Sequence, residues 1–363
     1  MKKVLVIALA LASVNAFASR ARVQALGNSP QLVDTQTVYS NPADILVLGD
    51  YVNFESGTTT GGAENVNAEG MITRSMGDSK LGLGLGHQYK NASAVWGLRA
   101  LSGVAGIVSQ QNPVSLFYGV KMNDMLIGGS LVYSNYNDKQ NNIKESSSGL
   151  RLGLRTGNWD AKLGLGLGNN FDGGADKFKG TLGVSGGVGY MMDDIYLNGS
   201  FSSAGFKVEN ASGAEKSTLD DSSLTVGALK SVKKDGNELF YGISLVSAKR
   251  KTNTTLPSVS EKTTTTLDLP LTVGMEVDAA TWLTLRGSVT QTTLINSSKV
   301  ENATSTTAET APGVSNTIAA IGAGLKFNKL TLDGSLQGLT GSAATQDLNG
   351  NKLLTTVGVT YLF

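Results

Sequence analysis

Charged residues fall at alternate positions within a series of apolar runs, and that spacing limits the chemistry open to this chain. Lys80, Lys121, Arg151, Arg155, Lys162, Lys179, Arg286, Lys326 and Lys352 lie on the polar side of a period-two pattern; Asp268, Glu276 and Asp333 share that side. Charges ringing a narrow aqueous passage bias which ions cross it. These residues are therefore candidate pore-lining groups, and the excess of bases predicts a mild preference for anions. Binding lipopolysaccharide, or snorkelling at a membrane rim, is the competing use for the same bases. A second feature is VWGLRALSGVAGIVSQ at 95–110, too apolar for a solvated surface loop. It is expected to fold into the lumen as a constriction offering Arg99, to lengthen the strands beside it, or to meet a neighbouring subunit.

Enzymatic readings find little to use. The single histidine, His87, alternates with Leu85 and Tyr89 onto the apolar face, and Ser115 falls on the opposite face. A hydrolytic pair needs its nucleophile and base within hydrogen-bond reach, which that arrangement denies. No enzyme activity and no cofactor are expected. With no cysteine there is neither a disulfide nor a thiolate metal site. GLGLG at 82–86 and again at 164–168 resembles a phosphate loop only superficially, because no helix follows either copy. Both are expected to be small-residue lumen faces.

The elements that must position these residues are β-strands. Alternation predicts sixteen: 48–57, 66–75, 79–89, 113–122, 125–136, 147–156, 161–171, 177–191, 195–208, 217–232, 238–251, 263–277, 282–295, 314–327, 330–341 and 353–363. Residues 267–277 show it most cleanly, with Leu267, Leu269, Leu271, Val273, Met275 and Val277 opposing Asp268, Pro270, Thr272, Gly274 and Glu276. Short connections at 76–78, 123–124, 157–160, 192–194, 233–237, 278–281 and 328–329 alternate with longer ones throughout. That sorting, with an even strand count, predicts an all-β, up-and-down antiparallel transmembrane barrel with short periplasmic turns and long extracellular loops. Sixteen strands enclose an aqueous channel; fourteen is the alternative count. The Gly-rich strands (45 Gly, only 6 Pro) and a mean hydropathy of −0.03 suit walls that are half lipid-facing and half wet. Trp96, Trp159, Trp282, Tyr361 and Phe363 are candidates for an interfacial aromatic girdle.

The first eighteen residues, with Lys2 and Lys3 before an apolar Val4–Val14 run and an Ala16-Phe17-Ala18 site, read as a cleaved signal peptide. Their loss takes the net charge from +1 to −1, which argues against nucleic acid as a partner. Residues 19–46 form a periplasmic or lumenal leader without alternation, and 47–363 form the barrel. The final stretch LLTTVGVTYLF resembles the closing strand of Gram-negative outer-membrane barrels, which implies assembly by the barrel insertion machinery with Tyr361 and Phe363 as the signal.

The leader itself, ARVQALGNSPQLVDTQTVYSNPADI, resembles the N-terminal segment of the long-chain fatty-acid transporter superfamily through Ala25-Leu26-Gly27, Asp34 and Asn41-Pro42-Ala43. The resemblance covers about 25 residues, and in that family the Asn-Pro-Ala box belongs to a plug inside a fourteen-stranded barrel. This leader is brief for a plug, and the strand count is sixteen. As a whole the chain is more similar to porin-like outer-membrane proteins. The expected function is passive diffusion of small hydrophilic solutes and ions, with outer-membrane lipid and lipopolysaccharide as surroundings and a possible homotrimer. The runners-up are a fatty-acid-transporter-like carrier of hydrophobic substrates and a barrel without transport.

Overall fold

The computed structural model describes residues 19–58, 66–89, 97–104, 106–255, 260–294, 299–302, 317–340 and 354–363. The signal peptide, Trp96 and Lys352 lie outside them. In chain order the strands are β1 (Tyr51–Thr58), β2 (Val66–Met76), β3 (Ser79–Leu85), β4 (Val114–Met122), β5 (Met125–Asp138), β6 (Ile143–Thr156) and β7 (Trp159–Asp172). Then come β8, in two segments (Asp176–Gly180 and Gly183–Met192), β9 (Ile195–Asn210), β10 (Glu215–Lys234), β11 (Asn237–Thr254) and β12 (Ser260–Ala280). The chain closes with β13, also in two segments (Leu283–Leu294 and Lys299–Asn302), β14 (Thr317–Phe327), β15 (Leu330–Thr340) and β16 (Leu354–Leu362). Both segments of β8 pair with β7 and β9, and both of β13 pair with β12, so each counts once. Each strand is antiparallel to the next, and β1 pairs with β16 from Tyr51↔Leu362 to Gly57↔Thr356. The result is a closed sixteen-stranded barrel with no free edge, as expected from the alternation; the fourteen-strand count does not apply.

Local chemistry explains the connections at one end. Gly77, Asn123, Gly157, Asp193, Asp235 with Gly236, and Asn328 all have positive φ. Those are the residue types that two-residue hairpin turns require, because their backbone twist matches that of the strands. The other end carries the long loops. There the wall is uneven. β12 has 21 residues and β10 has 20, whereas β3 has 7; about ten suffice to cross a bilayer.

Alternation decides the two surfaces. Leu81, Leu83, Leu116, Tyr118, Leu131, Leu152, Tyr241, Ile243, Val273 and Ile321 are exposed on the exterior. An apolar belt of that extent is stable against lipid and not against water. Trp159, Trp282, Phe327, Tyr361 and Phe363 are exposed next to the short turns, where a membrane interface would place them. No described helix is long and apolar enough to span a membrane.

β3 departs from its expected length. It stops at Leu85 rather than continuing to residue 89, because Gly86 takes φ +80° and a Cβ there would overlap the Ala68 carbonyl. The chain then turns inward, which carries His87 and Tyr89 into the lumen. The expectation that His87 faces lipid is therefore wrong. Lys179 is also corrected. Phe178 is the inward residue, and Lys179 lies on the exterior, 2.7 Å from Glu209.

Candidate functional site: a lumen occupied by the leader

The leader runs through the barrel. Its first element, α1 (Arg20–Ala25), is too short to persist alone and is held by the wall. Gln24 donates to Gln337 at 2.8 Å and accepts from Ser335 (3.0 Å) and Thr356 (2.7 Å), while Ser288 donates to the Ala25 carbonyl at 2.9 Å. Gly27 and Asn28, both at positive φ, end the helix. Leu26 and Leu32 then bury against Leu229 and Phe240 of β10 and β11.

The Asn41-Pro42-Ala43 box opens a 3-10 turn over Pro42–Leu46. Asn41 caps it by accepting from the Ala43 N–H at 3.2 Å, and proline occupies the first helical position where its missing N–H costs nothing. This turn sits on the inner faces of β3–β6, and only glycine leaves room for it. A Cβ at Gly128 would overlap the Pro42–Ala43 backbone, and one at Gly153 would overlap the Asn41 side chain. At Gly119 and Gly82 a Cβ would come within 2.8 Å of Ile45, and at Gly84 within 2.8 Å of the Tyr39 hydroxyl. Val38, Tyr39, Ile45 and Leu48 pack there with Tyr51, Met71, Tyr89, Phe117 and Val132.

Ion pairs fix the leader in register. Arg22 meets Glu276 bidentately at 2.8 and 3.1 Å and Asp34 at 3.1 Å. Burial, the largest influence on Asp34, pushes its carboxyl up to about 7 against the pull of Arg22. Asp44 pairs with Arg155, and Arg20 with Glu69. Glu55 and Glu69 are direct cross-strand neighbours, an arrangement of like charge that needs compensation. Compensation comes from the Arg20 backbone N–H (2.7 Å to Glu55), the Gln36 amide (2.9 Å to Glu55, 2.5 Å to Glu69) and His87 (Nδ1 2.8 Å from Glu69). The His87 ring lies flat on Tyr39 at 3.6 Å between centroids.

Several expected pore-lining residues are consumed by this packing. Lys80, only 3% exposed, donates to the Leu48 carbonyl at 2.5 Å and lies 3.3 Å from Asp50. Arg286 is clamped by Glu276 (2.6 Å) and Asp333 (2.5 Å). These residues and Arg155 face inward but hold structure together rather than line open water. Lys326, 3.0 Å from Asp278, and the exposed Lys121 lie at the short-turn rim. Asp268 is half-buried on the inner face of β12. Arg151 stacks over Tyr89 at 4.2 Å. Lys162 is exposed on the lumenal face of β7.

Arg99 is inside the barrel but is not offered to the pore. Its guanidinium donates to Asn169 (2.6 Å), Glu145 (2.9 Å) and the carbonyls of Val108, Ser146 and Asn170. It thereby pins the inward segment to β6 and β7, with Leu98 and Val104 packed on Phe171, Phe178, Phe206 and Leu219. Ser115 is buried beside the Tyr89 hydroxyl at 3.3 Å. Sequence reasoning missed Glu55 and Glu69. Their one signal was an acid on the polar face of each of two weakly alternating strands.

No family model matches this chain, and no curated protein matches it. Among solved structures it resembles the CymD monoaromatic hydrocarbon channel at 12% identity and TM-score 0.46, over 96% of this chain and 98% of that one. It also resembles the Ralstonia pickettii toluene transporter TbuX (12% identity, TM-score 0.44, 96% and 99% covered) and OmpT of Vibrio cholerae (9% identity, TM-score 0.41, 86% and 95% covered). Likeness of this degree does not say what this barrel carries.

Proposed function

We propose that the chain is a Gram-negative outer-membrane channel, reached after removal of residues 1–18, that passes small hydrophilic solutes and ions through a lumen narrowed by its own leader. The observation that carries this reading is the division of the lumen. The leader hydrogen-bonds and ion-pairs to β1, β2, β6, β12, β13, β15 and β16. Among the described residues no such bond reaches β7–β9. The inner face left there is small and polar, with Ser185, Asn198, Ser200 and Lys162. A buried segment across the bore reduces its open cross-section, so restricted permeation fits better. We assign no enzymatic role, and lipopolysaccharide, the insertion machinery and a homotrimer remain part of the proposal. Purified full-length protein in planar bilayers tests it. Steady conductance well below that of an unplugged sixteen-stranded pore is expected; complete electrical silence sinks the reading.

Carriage of hydrophobic cargo is the second reading. It is favoured by the apolar cluster that Phe171, Phe178 and Phe206 form with Leu98 and Val104 of the inward segment near the long-loop end. Silence in bilayers together with an apolar molecule retained through purification would support it.

A further inference from the structure

Resting on the channel reading, we propose that Lys162 is the centre of a binding step for small oxyanions, carboxylates and phosphates, in the space between the leader and β7–β9. The argument begins with charge. Six lumenal cations are already answered by carboxylates: Arg20, Arg22, Lys80, Arg99, Arg155 and Arg286. Lys162 has no carboxylate within ion-pair distance among the described residues, although it lies within the barrel wall and not at its rim. The local balance points the same way. Arg151, Arg155 and Lys162 stand on neighbouring positions of β6 and β7, where Gly153 pairs with Lys162 and Arg155 with Asp160. Among the described residues two acids stand beside them. Asp44 is bound to Arg155, and Asp160 accepts from the Tyr196 hydroxyl at 2.7 Å. Both acids are thus engaged, and the most water-accessible cation of the three is the Lys162 ammonium.

The surroundings suit an oxyanion. Lys162 pairs across to Gly187 on β8, where a Cβ would come within 3.1 Å of Lys162 Cε. The absent side chain lets the lysine stem lie along the wall instead of filling the passage. Ser185 and Ser200 flank Gly187 on the same inner face, from register with Gly164 and with Gly187 itself. An ammonium beside hydroxyl donors recognises carboxylate and phosphate oxygens. Because the group stays wet, its hold on an anion is weak enough for release, as permeation requires.

The test uses the full-length protein in planar bilayers. Reversal potentials in a KCl gradient are measured first, then chloride current under added inorganic phosphate or acetate. Wild type should prefer anions and lose chloride current as phosphate rises. Lys162→Gln should lower the anion-to-cation permeability ratio about fivefold, the size of one unit-charge contact at close range in water, and should abolish the phosphate effect. Lys121→Gln, which removes an exposed rim cation, should leave both intact. Lys162→Gln behaving as wild type, or Lys121→Gln losing as much, overturns the site while leaving the channel standing. Electrical silence of wild type overturns the channel reading and the site with it.

Discussion

GLGLG occurs twice in this barrel, and the two copies do different work. At 82–86 on β3, Gly82 and Gly84 leave space that Ile45 and Tyr39 of the leader fill. At 164–168 on β7 the space is filled from the wall itself, by Ser185 at Gly164 and Ser148 at Gly168. One side of the lumen is a seat for the leader and the other a small, polar wall. Residue type is the same; what differs is whether a second segment of chain arrives. A glycine stripe on an inner face therefore reports close approach without saying of what.

That contrast can be broken first by cutting the leader's ion pairs. Arg22→Ala leaves Asp34 buried without its cation, while Glu276 keeps Arg286. Breaking a buried pair costs up to about 3–5 kcal/mol, and the partial exposure of Arg22 places this case near the lower bound. The leader should become cleavable by trypsin at Arg20 in intact barrels, and single-channel conductance should rise. Unchanged cleavage and conductance would mean that the leader is held by packing alone. Gly153→Val comes next. Overpacking the Asn41 contact costs about 1–3 kcal/mol, so the same readouts should move in the same direction but less. Ser200→Val, on the facing wall, sharpens the comparison. It should leave trypsin sensitivity at the wild-type level and reduce conductance by less than about twofold, since it adds bulk only to the open side.

A further test concerns pH. Asp34 titrates near 7 in the folded protein and near 3.8 when unfolded. The folded leader thus favours the protonated form. This contribution to its seating is complete below about pH 4, is lost as pH rises towards 7, and is flat beyond. Hydrogen exchange across 19–46 should be faster relative to a reference peptide at pH 8 than at pH 5, by up to about a hundredfold for a shift of this size. Asp34→Asn should remove the difference.

All sixteen strands were legible because a membrane wall imposes period two on every one, and the residue that faces lipid must be apolar. The rule has no force at two places. Alternation carries β3 four residues too far because His87 and Tyr89 continue it, while the turn that ends the strand depends on Gly86 and the facing Ala68 carbonyl. Alternation also puts Lys179 on the wrong face, for want of a second apolar landmark beside Phe178. Of the candidate site, the inward direction of Arg151, Arg155, Lys162, Arg286, Glu276 and Asp333 was readable. Which of them remained in contact with water was not.

The sequence by itself determined the barrel, its strand number, its lipid-facing surface and the sorting of short from long connections. These follow from local periodicity and turn chemistry. Tertiary structure alone decided that the leader lies within the lumen, that Arg99 is pinned to β6 and β7, that His87 is inside, and that Lys162 has no carboxylate at ion-pair distance among the described residues. Each of those depends on which carboxylate, carbonyl or glycine meets a side chain from far along the chain. Arg22 and Glu276 are separated by 254 residues and 2.8 Å, and no local pattern encodes such a contact.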